Sequence, residues 1–135
     1  MLRCLAAALL ALSVATAGTG QTPVSPEAFE AMSEGRTLHF TLQGSPFGSE
    51  QYFPGRRSLW RFADGTCESG TWRADGERIC FTYEDDAAPQ CWRFQREGDR
   101  FSAALTGTEG AGDFVLDLSH SDQEPLHCPG PDLGA

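Results

Sequence analysis

The sequence predicts an all-β fold: an antiparallel meander of seven to eight strands, curled into a small barrel or half-barrel behind a short N-terminal helix. Three observations carry this. Apolar residues alternate with a period of two from Arg36 onward, turn residues recur at short and nearly even intervals, and Cys67, Cys80 and Cys91 fall inside the alternating segments. Short strands with evenly spaced turn signals are the pattern of a small barrel or sandwich.

The chain opens with Arg3, then an apolar run over Leu5 to Val14, then the small-x-small triplet Ala15-Thr16-Ala17. This is the pattern of a secretory signal peptide, and cleavage is expected after Ala17. The apolar run falls short of the ~20 residues that span a bilayer. Cys4 would leave with the signal, and no later segment is apolar enough to cross a membrane. The expected divisions are a signal peptide (1–17), a leader and short helix (18–35), a β-meander domain (36–119) and a disulfide-tethered tail (120–135).

The whole chain carries 10 Lys+Arg against 19 Asp+Glu; loss of Arg3 with the signal leaves a balance of −10. Every basic residue is Arg. An acidic surface argues against nucleic acid and against charge-driven binding to anionic lipid.

Ser25-Pro26-Glu27 reads as a helix start, with Ser at the N-cap, Pro at the first helical position and an acid in the first turn. The helix should end near Ser33 or Glu34, before Gly35. Phe29 and Met32, three apart, share a face. A helix this short needs tertiary support, so it should cover one end or edge of the sheet.

Leu38, Phe40 and Leu42 then alternate with Thr37, His39 and Thr41. Gly44 to Gly55, with Pro46, Gly48 and Pro54, reads as a loop. Strands are expected at 58–62, 66–73, 77–84, 90–96, 100–106 and 113–119, with a break over Asp85 to Pro89. The hairpins can be registered against one another. An Ala63-Asp64-Gly65 loop puts Trp60 and Phe62 on one face. A four-residue loop over Ala74 to Glu77 pairs Trp72 with Ile79. A Glu97-Gly98 turn pairs Phe94 with Phe101, and Cys80 opposite Cys91 pairs Ile79 with Trp92. Together these place Trp72, Ile79, Phe81, Trp92, Phe94, Phe101, Ala103 and Leu105 on one face, which a one-residue slip would split.

The register also assigns the disulfides. Cys80 and Cys91 are directly opposite and close enough to bond. Cys67 falls opposite Glu84, roughly 13 Å from Cys80 at ~3.3 Å per residue, so it pairs with Cys128 in the tail. There is no Cys-x-x-Cys, and Cys and His spacing matches no zinc pattern. No cofactor and no metal site is expected.

Candidate sites are few. His39 should point outward as an ordinary surface histidine, because no Gly-x-Ser-x-Gly turn or other nucleophile signature accompanies it. Glu84-Asp85-Asp86 lacks the Gly and spaced oxygens of a calcium loop and reads as a solvated turn. His120, Asp122 and His127 carry groups that can ligate a transition metal, but their spacing fits no helix or strand pattern, and they read as part of a solvated tail. The loop Gly44 to Arg57 is the strongest binding candidate, with Phe47, Tyr52, Phe53, Arg56 and Arg57 as expected ligand-contacting residues, since aromatics beside Arg on a loop recur in binding surfaces.

Trp60-Arg61-Phe62, Gly65-Thr66-Cys67, Gly70-Thr71-Trp72, Ile79-Cys80-Phe81 and Cys91-Trp92 resemble a pattern in small secreted proteobacterial β-domain proteins of unknown function, over about residues 35–105. The resemblance implies an exported, Cys-paired β-domain of the cell envelope and no catalytic residues. A helix followed by a meander is also loosely similar to lipocalin-type barrels, although the first strand lacks the lipocalin Gly-x-Trp. The expected function is a non-enzymatic periplasmic or secreted binding module for a small ligand or an envelope protein. The alternatives are an inhibitor of a secreted enzyme or a small hydrolase with a dispersed site.

Overall fold

The computed structural model describes residues 13, 15, 20–107 and 109–129. The expected signal peptide and its cleavage point lie outside the described residues apart from Ser13 and Ala15, as do residues 130–135. The elements are β1 (Thr22–Pro23), α1 (Pro26–Ser33), β2 (Thr37–Leu42), β3 (Ser45–Phe53), β4 (Arg57–Phe62), β5 (Cys67–Asp75), β6 (Arg78–Tyr83), β7 (Asp86–Glu97), β8 (Arg100–Leu105), a 3₁₀ turn (Ala111–Asp113) and β9 (Val115–Asp122).

Strands β2 to β9 pair antiparallel in the order β7-β6-β5-β4-β3-β2-β9-β8, and β8 returns to β7, so the meander closes into an eight-stranded barrel. Strand β1 is an addition. It pairs with the end of β7 at Thr22 with Arg96 and Pro23 with Gln95, where β6 has already ended.

Helix α1 starts as its sequence dictates: the Ser25 hydroxyl accepts from the Ala28 N–H at 3.1 Å, and Pro26 opens the first turn. The helix plugs one end of the barrel. Phe29 is fully buried and meets Tyr52, Trp72 and Phe94 at ring-centroid distances of 5.3, 5.3 and 4.5 Å. Arg56 fastens the helix from outside, with its guanidinium 3.0 Å from Glu30 and 4.6 Å over the Trp72 ring.

The inward face is the one the alternation predicts, but two hairpins are registered differently. Trp72 pairs with Phe81 rather than Ile79, and Phe94 with Ala103 rather than Phe101. In both cases the loop is a tight turn, Gly76-Glu77 or Gly98-Asp99, in which Gly takes the first position with φ near 60°. Each register differs from the expected one by two residues, an even number, so every side chain keeps its face. The pairing of Cys80 with Cys91, and of Arg61 with Cys67 across the Ala63–Gly65 loop, is as expected.

Three segments differ from the sequence reading. Gly44 to Gly55 is not a loop: Ser45–Phe53 is a nine-residue strand paired on both sides. Gly48 is required inside it, because a Cβ there would lie 2.2 Å from Cζ2 of Trp60. Pro46 is tolerated where the β2–β3 register shifts. The expected break at Asp85 to Pro89 is shorter, since β7 starts at Asp86 and carries Pro89 through a bulged stretch. The expected tail begins later, because β9 runs on through Asp122.

Both expected disulfides are present, Cys80–Cys91 and Cys67–Cys128. The second anchors a strap. From the end of β9 the chain crosses the outer wall, where Glu124 O accepts from Thr37 (2.7 Å), Leu126 N–H donates to Gln51 (2.9 Å) and His127 O accepts from Arg61 (2.9 Å), before Cys128 bonds Cys67. Disulfides form and persist in oxidising compartments, and no helix among the described residues is long and apolar enough to cross a membrane.

Candidate functional site

Between the Phe29 plug and the opposite barrel end lies an interior cavity of about 420 Å³. Its walls are largely aromatic. Tyr52, Phe81 and Phe94, which also meet the Phe29 ring, line it together with Phe40, Phe47, Trp60, Phe62, Trp92 and Phe114. Phe47 reaches the cavity through an irregularity in strand pairing: Phe40 pairs with Gly48 and Thr41 with Pro46, which leaves Phe47 as the extra residue. Its ring lies 6.0 Å from Trp60 and 5.6 Å from Phe114.

Two carboxylates line the chamber, Glu68, which is half-buried, and Glu50, which stands among the rings. Glu50 on β3 is 4% exposed and lines the cavity. One of its oxygens accepts from the Tyr83 hydroxyl at 2.9 Å and the other from the Tyr52 hydroxyl at 3.2 Å. Tyr83 gains room because Gly70 lies against it; a Cβ on Gly70 would sit 2.8 Å from the Tyr83 ring. The buried Ser58 hydroxyl is near enough to favour the Glu50 charge, yet its Oγ makes no hydrogen bond of good geometry. Burial dominates and raises the Glu50 pKa from 4.5 to about 7, with the three hydroxyls opposing the shift. Burial, followed by the Glu50 charge, also pushes both tyrosines above their ordinary value. The site therefore holds a carboxyl poised to change charge near neutrality inside an apolar chamber.

The five expected ligand-contacting residues do not share one mouth. Phe47 and Tyr52 line the cavity. Phe53 and Arg57 line a separate depression of the outer wall, with the guanidinium 5.4 Å over the ring. Arg56 is engaged with Glu30 and Trp72. Glu50 was missed because the segment read as a loop has no inside or outside; read as a strand, Gly48, Glu50 and Tyr52 fall on one face.

A second cluster lies on the outer wall. His39 is not a free surface histidine. Its Nδ1 is 2.7 Å from Ser49 Oγ and its Nε2 is 2.9 Å from Asp122 Oδ2. His120 stacks on it with ring centroids 4.2 Å apart. The Glu124 N–H and then His39 hold the Asp122 carboxyl below its ordinary value. His120 and Asp122 are thus strand residues rather than part of a solvated tail, and the side chain beside them is His39, not His127. Asp75 also approaches Cys80 and Cys91, but those thiols are spent in a disulfide.

Comparison with family models, curated proteins and solved structures gave no match.

Proposed function

We propose that this protein is a non-enzymatic periplasmic or secreted binding module that encloses a small ligand in its barrel. The ligand has an apolar, preferably aromatic body and one hydrogen-bond donor, an amine or a hydroxyl, directed at Glu50. The observation that carries this is the aromatic cavity with a buried carboxyl, Glu50, in its wall. Small-molecule sites are concave, mostly apolar, about 300–1,000 Å³ in volume, and oriented by a few placed polar groups. An amine suits the site best, because it would pair with the Glu50 charge while the surrounding rings offer their negative faces to the cation.

The test uses 1-aminoanthracene, a flat apolar body with one amine, titrated into the disulfide-bonded chain. Binding is expected to quench tryptophan emission, since Trp60 and Trp92 line the cavity, and to weaken in Glu50→Gln. Ala103→Trp, which fills the space, should abolish it. A probe that leaves tryptophan emission unchanged, or that binds the Ala103→Trp variant as well as the parent, rejects the reading.

A further inference from the structure

We propose that His39, His120 and Asp122 form a binding site for a divalent transition-metal ion of the zinc type on the outer wall of the barrel, separate from the interior cavity. The ligand atoms of the three side chains all lie within 4.8 Å of one another. Nε2 of His39 is 2.9 Å, and Nε2 of His120 3.7 Å, from the same Asp122 oxygen. Two imidazoles and a carboxylate are donors that zinc, copper and nickel accept, and three protein ligands leave a further position open to water.

Chance proximity would not by itself orient each donor, and here each is oriented from behind. Ser119 Oγ donates to the His39 carbonyl at 3.1 Å, so its only proton is used, and at the same distance it meets Nδ1 of His120 as an acceptor. His120 Nδ1 must then carry the ring proton, which leaves the Nε2 lone pair facing Asp122. Ser49 Oγ, at 2.7 Å from Nδ1 of His39, can accept a proton there in the same way and free Nε2 for the ion. The second Asp122 oxygen, Oδ1, is held by the Glu124 N–H at 3.0 Å. Histidine ligands of metals characteristically donate their other ring N–H to such a partner, and the carboxylates are likewise anchored.

The backbone supplies an independent observation. Phe40 pairs with Leu118 and His39 with His120, so Ser119 is an extra residue in β9. Without this bulge His120 and Asp122 would continue the face of Leu116 and Leu118, toward the interior. The bulge turns both to the outer wall beside His39, and re-aiming side chains is a known use of bulges. Ser119, the bulged residue, is the one that fixes the His120 tautomer.

The test is Zn²⁺ titration of the full disulfide-bonded chain in competition with a chromophoric chelator. One ion per chain is expected. His120→Ala, at a side chain 63% exposed and therefore safe for folding, should weaken binding about tenfold or more. His39→Ala and Asp122→Asn should do the same, and His127→Ala should leave affinity unchanged. Because His39→Ala could disturb folding, long-range ¹H–¹⁵N spectra of the unaltered chain provide a second readout. Zinc should shift Nε2 of both His39 and His120 while their Nδ1 remain protonated. Absence of binding, binding that His120→Ala leaves intact, or a shift confined to His127 overturns the proposal.

Discussion

Glu50→Gln should remove most of the loss of stability that the folded protein suffers on going from pH 5 to pH 8. The unfolded chain releases the Glu50 proton near 4.5, whereas the folded chain holds it until about 7. Between those values the native state binds more protons than the unfolded state, so stability falls as pH rises. The stability is fully present below 4.5 and is lost by the time pH passes 7. At about 1.4 kcal/mol per unit of displacement, the interval from 4.5 to about 7 amounts to roughly 3 kcal/mol. With a urea slope of about 1.5 kcal/mol/M for a domain of this size, the midpoint should drop by about 2 M. The assay is urea unfolding at pH 5, 6, 7 and 8 under non-reducing conditions, followed by tryptophan emission. The informative quantity is the difference between the parent and Glu50→Gln. That difference should swing by about 3 kcal/mol in favour of the variant as pH rises. Midpoints that fall in parallel would refute the placement of Glu50 as a buried carboxyl.

Other outcomes follow from single contacts. Gly48→Ala must displace the Trp60 indole, whose Cζ2 would lie 2.2 Å from the new carbon; a loss of about 1–3 kcal/mol and a shifted tryptophan emission are expected in denaturant melts. Phe29→Ala removes the fully buried plug and should cost about 3–5 kcal/mol by the same melts. Replacing Cys67 and Cys128 together by Ser opens a loop of 61 residues, worth about 4 kcal/mol in the chain-entropy account. Hydrogen exchange at the Leu126 amide, bonded to Gln51, should then accelerate while amides of the β5–β6 hairpin stay protected.

Much of the barrel was legible because parity is robust. The partners of Trp72 and Phe94 each differ from expectation by two residues, and an even change leaves every side chain on its face. The cysteines were legible for the same reason, as Cys80 and Cys91 could be set opposite each other by counting. Bulges hid the rest. Phe47 and Ser119 each mark a break in pairing where a period of two stops predicting direction. Strand β3 was further disguised by Pro46 and Gly48, two poor strand formers kept for a bulge and for the Trp60 ring. Both candidate sites adjoin such places: Glu50 lies in the disguised strand, and His120 and Asp122 follow the Ser119 bulge.

Closure of the barrel determines how a second protein could approach. An open sheet presents a row of unsatisfied amides and carbonyls on which a foreign strand can be templated, for recognition or for polymerisation. Here the ring from β2 to β9 consumes those groups on its own neighbours, and the added β1 is two residues long, too short to seed a further ladder. Among the described residues no strand of the ring is left with a whole free edge for strand donation. A macromolecular partner would have to be recognised by side-chain chemistry at the turns or on the convex wall, and folded copies could stand at high concentration without lateral fusion of their sheets.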